Sequence, residues 1–172
     1  MSVLMKDSSV EWIGNIPENW KIARIKDEIE SLNPIRIPLS ASDRGLMEKN
    51  YDYYGASGII DKVEEYLFDG TYLLIAEDGA NLISRSSPLA FLAHGKFWVN
   101  NHAHILKPYW RDIRYYTYQL ENIDYSLSVT GAAQPKLTQE NLGRINIVVP
   151  SKTEQKQIAD FLFIIMKLIQ KK

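Results

Sequence analysis

Hydrophobic positions come in two kinds of pattern along this chain. Over roughly its first two thirds they fall in short blocks of apolar, β-branched and aromatic residues broken by Gly, Pro, Asn and Asp, the pattern of strands and turns. Residues 22–25 and 71–76 predict strands, the second of them buried, with Glu77-Asp78-Gly79 turning the chain after it. Residues 51–54 and 58–63 predict strands flanking a Gly55-Ala-Ser-Gly58 turn, and 89–93 with 96–106 predict a hairpin across His94-Gly95. A helical turn is expected over 27–32, stopped by Asn33-Pro34, because the residue before proline is pushed out of the α region. Residues 11–20, with Trp12 and Trp20, predict an irregular segment anchored by its aromatics.

Helical spacing takes over later. Tyr109, Ile113, Tyr116 and Leu120 recur at intervals of four, three and four, predicting one face of a helix that runs to about residue 123. Residues 126–137 predict a loop in which Gly131 takes a positive φ and Pro135 removes a donor. A short capped turn over 138–142 and a strand over 145–149, ended by Pro150, follow. Ser151-Lys-Thr-Glu154 is a capping box, and behind it Ile158, Phe161, Leu162, Ile165, Leu168 and Ile169 form an apolar stripe that calls for a partner. The expected class is therefore α+β, with a mixed or curled sheet over 1–150 and an amphipathic helix over 151–172.

Composition narrows the function. With 172 residues, 45% of them hydrophobic, the chain suits one domain or one domain with a short appendage. It has no cysteine, which removes disulfides, thiolate metal sites and cysteine nucleophiles, and an intracellular, cytoplasmic protein is the simpler expectation. Twenty basic against 21 acidic residues give a net charge of −1, so nucleic-acid contact would be a local patch and not a global coat. The longest apolar run, 161–166, is far below the ~20 residues of a membrane span, and the N-terminus has no basic stretch followed by an apolar one. Secretion and membrane insertion are both disfavoured.

Catalytic constellations are scarce. His102 and His104 would share a strand face and could in principle share a metal, but no Asp or Glu lies within six residues of them. A small metal-dependent hydrolase built on that pair is the third-ranked reading. Gly55-Ala-Ser-Gly58 lacks the Lys and Ser/Thr of a phosphate loop. Asn33-Pro34-Ile35-Arg36 shares only its first two residues with the Asn-Pro-Pro-aromatic motif of adenine methyltransferases. Glu154-Gln155-Lys156 has no upstream acidic partner for nuclease chemistry, and no Ser/His/acid set stands out. What remains are loops able to touch nucleic acid: Asn100, Asn101, His102 and His104 could reach base edges or hold the reading loops, and Thr130, Gln134 and Lys136 could grip phosphate or a base. Ordinary turn chemistry explains such residues equally well. On residues alone, DNA binding stands only slightly ahead of a generic interaction module.

Several segments, in order, resemble the specificity subunit of type I restriction-modification systems. They are Glu11-Trp-Ile-Gly-Asn-Ile-Pro-Glu-Asn-Trp20, Tyr54-Gly-Ala-Ser-Gly-Ile-Ile60, Leu74-Ile-Ala-Glu-Asp-Gly79, Val99-Asn-Asn-His-Ala-His104, Thr130-Gly-Ala-Ala-Gln-Pro-Lys-Leu137 and Ile147-Val-Val-Pro-Ser-Lys-Thr-Glu-Gln-Lys-Gln-Ile-Ala159. The resemblance implies a target recognition domain for double-stranded DNA over 1–150 and the start of a conserved spacer helix over 151–172. It also implies partners: modification subunits that use S-adenosylmethionine to methylate adenine, and a restriction subunit that uses ATP and magnesium. This chain itself would bind no cofactor and catalyse nothing. Lys62, Arg85 and Lys136 are then the candidate phosphate contacts, with Asn100, Asn101, His102, His104, Thr130 and Gln134 as the other candidate DNA contacts. Gln155, Ile158, Phe161, Leu162, Ile165, Leu168 and Ile169 are the candidate partner interface. The expected second recognition domain is missing and the helix looks short, so a fragment, a truncated product or a self-pairing half-subunit that reads a palindromic site are all expectations. The alternative reading is a decoy that binds modification subunits through its helix without reading DNA.

Overall fold

The computed structural model describes residues 3–131 and 133–169, so positions 170–172 of the expected C-terminal helix lie outside the described residues. In chain order the first elements are β1 (Met5–Asp7), β2 (Asn15–Pro17), β3 (Lys21–Arg24), α1 (Ile25–Glu28), β4 (Ile29–Ser31), a 3-10 turn at Asn33–Ile35, α2 (Ala41–Gly45), β5 (Tyr51–Gly55) and β6 (Gly58–Val63). The chain continues through β7 (Phe68–Ala76), α3 (Asn81–Ser84), β8 (Ala90–Val99), β9 (Ala103–Pro108), α4 (Ile113–Glu121), α5 (Gln139–Arg144), β10 (Asn146–Val149) and α6 (Lys152–Ile169). The main sheet has six strands in the order β4-β9-β7-β8-β5-β6, with β8 and β5 parallel and every other neighbour antiparallel. β3 and β10 make a separate antiparallel pair, so residues near both ends of the chain close one ribbon. The expected α+β class with a mixed, curled sheet is the one found.

The curl follows from register. Phe97 on β8 lies opposite Phe68 and Ala103 on β9 lies opposite Ala76, on the two sides of β7. In a flat sheet those partners would be about 28 Å apart, from eight residues along the strand and two strand spacings across it. The six residue-to-residue steps from Phe97 to Ala103 reach about 21 Å when fully extended. The sheet must therefore bend. Gly70 and Gly95 face each other across β7 and β8 at φ of +136° and +75°, conformations that side-chain-bearing residues rarely adopt. This corrects the expected hairpin across His94-Gly95: the glycine bends a strand that continues to Val99 and does not reverse it. Reversal falls instead at Asn100-Asn101-His102.

Bending creates two cores, one on each face of β7. Leu74 and Phe68 point inside the curl with Tyr54, Phe97, Val99 and Ile105, whereas Leu73 and Ile75 point to α4, α5 and β10, packing with Tyr116, Leu120, Tyr125 and Ile147. Leu73, Leu74 and Ile75 alternate between the two cores, and burial on both sides is why the strand's sequence reads as one apolar run. Two local expectations shift. The helical turn after β3 ends at Glu28, because Ile29 and Ser31 pair with Pro108 and Leu106 of β9. α4 begins at Ile113, where Asp112 caps the Arg114 amide, and Tyr109 stands exposed ahead of the helix.

α6 starts as its capping box requires. The Ser151 hydroxyl accepts from the Glu154 amide at 3.3 Å, and the Glu154 carboxylate accepts from the Ser151 amide at 3.1 Å. Its other carboxylate oxygen accepts from the Trp20 indole at 3.0 Å, which fastens the N-terminal segment to the helix start. Further along, Arg114 meets Asp160 at 2.8 Å and Ala159 is fully buried. Replacement of Gly95 by Ala forces a β-carbon into left-handed backbone and is expected to destabilise the fold by about 1–2 kcal/mol. Urea denaturation checks this, and an unchanged midpoint would show that the bend does not need this glycine.

Candidate nucleic-acid interface

Three loops converge where the curled sheet brings the C-terminal end of β7 beside the turn between β8 and β9. Residues 77–79 follow β7, residues 100–102 join β8 to β9, and residues 130–137 arrive from the segment after α4. The Glu77 amide donates to the His102 carbonyl at 2.9 Å, the Gly79 amide to the Pro135 carbonyl at 3.0 Å, and the Leu137 amide to the Glu77 carbonyl at 2.8 Å. Thr130 and Lys136 exchange backbone hydrogen bonds of 2.8 Å, which closes the third loop on itself. Gly131 takes φ +85° as expected, and a β-carbon there would come within 2.7 Å of the Gln134 carbonyl.

Beneath the loops lies a polar network. His104, 1% exposed, donates from Nε2 to the Leu137 carbonyl at 2.7 Å, and its Nδ1 accepts from the Asn33 amide at 2.7 Å. These partners assign the neutral Nε2-H tautomer. Asn33 gives its second hydrogen to Gln139 Oε1 at 3.0 Å and accepts from the Ile105 amide at 3.0 Å, so it ties β9, α5 and the loop end together. Burial pushes the His104 pKa down and outweighs the opposing pull of Glu77. Glu77 Oε2 lies 3.5 Å from Nδ1, but that nitrogen already accepts from Asn33, so the contact is not an ion pair at neutral pH. Burial raises the Glu77 pKa, yet the Arg36 guanidinium at 2.7 Å and the surrounding positive groups, Lys136 at 3.3 Å among them, outweigh it and hold the carboxyl below its usual value.

The structure sorts the expected contact residues by where their polar atoms go. Asn101 and Gln134 are exposed, with no hydrogen-bond partner for their amides among the described residues. Lys136 is half exposed beside Glu77, and Thr130 reaches the Lys136 carbonyl at 3.3 Å. His102 is exposed with Nδ1 2.8 Å from the Asp78 carboxylate. Asn100 and His104 are enclosed: Asn100 Oδ1 accepts from the His102 amide at 2.8 Å, and His104 links Asn33 to the Leu137 carbonyl. Arg85 spends its guanidinium on the Glu121 and Ile123 carbonyls, which caps the C-terminal end of α4. Lys62 pairs with Asp52 at 3.4 Å, four residues along β6 from the Gly55–Gly58 turn. His102 and His104 have different partners, and among the described residues no group of three or more His, Asp or Glu converges as a metal site would require. A concavity of about 600 Å³ between α1 and α5 contains none of the expected contact residues.

On α6, Gln155 is fully buried and donates to the Pro150 carbonyl at 3.1 Å, whereas Ile158 and Leu162 are half-buried against a groove lined by Trp20, Tyr115 and Tyr118. Phe161, Ile165, Leu168 and Ile169 are exposed, joined by Phe163, Ile164 and Met166. Among the described residues, no helix is long and apolar enough to cross a membrane. Residue reasoning missed Asn33, Arg36, Glu77 and Asp78. A charged pair directly after a buried strand was the available signal for the last two.

The chain belongs to the type I restriction modification DNA specificity domain family, whose model matches residues 17–172. It is 33% identical over 161 residues to a Haemophilus influenzae protein described as a type I restriction enzyme specificity subunit, covering 92% of this chain and 38% of that protein. Its fold resembles the S subunit of a type I restriction-modification system from M. genitalium, with a TM-score of 0.70 at 15% identity, covering 89% of this chain and 40% of that one. It also resembles the HsdS subunit of Thermoanaerobacter tengcongensis, with a TM-score of 0.62 at 14% identity, covering 90% of this chain and 39% of that one. The chain thus spans about two fifths of the length of these relatives.

Acid should loosen this site. An unfolded histidine takes a proton near pH 6.5, whereas buried His104 resists it, so below that pH the unfolded state binds more protons and stability falls. Glu77, held low in the folded state, adds a further loss below about pH 4.5. Melting temperature is expected to drop between pH 7 and pH 5, with a flatter slope in His104→Gln. Equal slopes for the two proteins would remove His104 as the source.

Proposed function

We propose that this chain reads double-stranded DNA as a target recognition unit of a type I specificity subunit, and that partner subunits methylate adenine and cleave under its direction while it catalyses neither reaction. One observation carries the reading: Gln134 and Lys136 stand on a loop fixed at Thr130, Pro135, Lys136 and Leu137 by backbone bonds of 2.8 to 3.0 Å. A loop held in place before it meets its ligand loses little further freedom on binding. Membership of the specificity-domain family supports the same role. Asn101 and Gln134 are the base-reading candidates, since an exposed carboxamide can both donate to and accept from a base edge. Lys136 supplies charge to the backbone. S-adenosylmethionine, ATP and magnesium belong in this reading to the modification and restriction subunits, in the cytoplasm. A second recognition unit, from another chain or another copy of this one, completes a bipartite site.

A second reading rests on α6. From Phe161, which is 63% exposed, to Ile169 the helix is apolar on every side except at Lys167, so it suits a chain that captures modification subunits and withholds them. That chain would bind partners and show no sequence preference on DNA.

Fluorescence anisotropy with duplexes that carry the methylated motif or a scrambled one separates the two readings. With the chain assembled on its modification subunits, Lys136→Ala is expected to weaken both duplexes alike and lower the salt slope by about 1. Gln134→Ala is expected to lower affinity for the motif by about 1–3 kcal/mol and leave the scrambled duplex unchanged. Equal wild-type affinity for the two duplexes would favour the capturing role.

A further inference from the structure

Beside the reading loops lies a shallow depression of about 410 Å³, lined by Ala56, Ser57, Ile60, Asp78, Asn100 and His102. It joins the Gly55–Gly58 turn to the loop that follows β7 and the loop that precedes β9, and through the Gly79 to Pro135 hydrogen bond it adjoins the loop that carries Gln134. Asn100 is 6% exposed, and its backbone amide donates to the Tyr54 carbonyl at 3.0 Å. Its side-chain Oδ1 accepts from the His102 amide at 2.8 Å, whereas Nδ2 has no partner among the described residues. Nδ2 is therefore a free donor that opens onto the depression, where a ligand or water can accept from it.

We propose that this depression seats one phosphodiester group of the DNA backbone, with Asn100 Nδ2 donating to a non-bridging oxygen, a contact that rests on the DNA-reading function proposed above. The chemistry favours phosphate over a base. With Oδ1 committed to His102, Asn100 cannot offer the paired donor and acceptor that read a base edge. It is left as a donor only, and no phenyl or indole ring lines the depression to stack on a base. Ser57, exposed on its turn, adds a hydroxyl donor, and the Ile60 side chain offers an apolar wall to the adjoining deoxyribose. Asp78 is the one carboxylate present, and it is engaged by His102 Nδ1 at 2.8 Å. A grip by uncharged donors of this kind fixes the register of the duplex without reading sequence.

The test combines Asn100→Asp with single methylphosphonate substitutions, which replace one charged phosphate oxygen by a methyl group. Asp keeps the oxygen that accepts from His102, so the turn is retained, but it turns a carboxylate toward the phosphate. With the chain assembled on its modification subunits, Asn100→Asp is expected to bind motif and scrambled duplexes about tenfold more weakly. At one methylphosphonate position in each half-site that a copy of this chain reads, the gap to wild type should close to about twofold, and nowhere else. Ser57→Ala, on an exposed turn where folding is not at stake, should lose about threefold on both duplexes with an unchanged salt slope, since no charge is removed. A gap that is the same at every phosphate, or that follows base identity, overturns the proposal. So does a variant that assembles poorly yet binds DNA normally once assembled, which would give the depression to a partner's peptide carbonyl. Wild-type protein without motif preference would instead reject the DNA-reading function itself.

Discussion

The hydrogen bonds between Asn33, His104 and the Leu137 carbonyl hold together what the site needs. Residues 33, 104 and 137 come from three separate parts of the chain, and the two side chains are more than nine-tenths buried. Neutral His104 has one donor and one acceptor, and both are used; Asn33 uses both amide hydrogens and its oxygen. A buried polar network of this kind holds one arrangement well, because any slip leaves groups unpaired at about 1–3 kcal/mol each. That single arrangement places the start of α5 and the end of the 130–137 loop against β9. The loop's exposed Gln134 is thereby presented from a fixed base.

The bend in the sheet makes the network possible. Without the opposed glycines on β7 and β8, the three residues between Val99 and Ala103 could not bring the chain back to the far end of β7, and His102 would not lie where Glu77 and Asp78 meet it. Curvature also sets the division of labour. One face of β7 closes a small aromatic core inside the curl, and the other supports α4 and, through it, the start of α6. The interface candidates and the start of the exposed apolar helix therefore pack against the same sheet, an arrangement that suits the proposed coupling of DNA reading to partner binding.

Local chemistry was legible from sequence. The capping box at Ser151 needs only four neighbouring residues, the Gly55–Gly58 turn sits between two short strands, and Gly131 precedes a proline-stiffened loop, so all three appear where the pattern puts them. Long-range commitments were not. Asn33 meets His104 across 71 residues and Gln139 across 106, and nothing near Asn33-Pro34 announces either partner. Arg85 looks like a free surface cation until the fold brings the carbonyls at the end of α4 to it. His94-Gly95 has the composition of a turn, and only the opposing Gly70 makes it a bend. The resemblance to specificity subunits gave the family of the chain correctly, while the division between residues that face outward and residues enclosed beneath the loops needed the fold.

The central claim is that this chain directs adenine methylation by reading a DNA sequence. It is tested most directly by co-expressing the chain with its modification subunit in a host that lacks other adenine methylation and mapping methylated adenines across the genome. The account predicts one recurring bipartite motif, palindromic if two copies of the chain supply both halves and asymmetric if another recognition unit supplies the second. A stable complex that leaves the genome unmethylated, or that methylates adenines sharing no sequence, would contradict it.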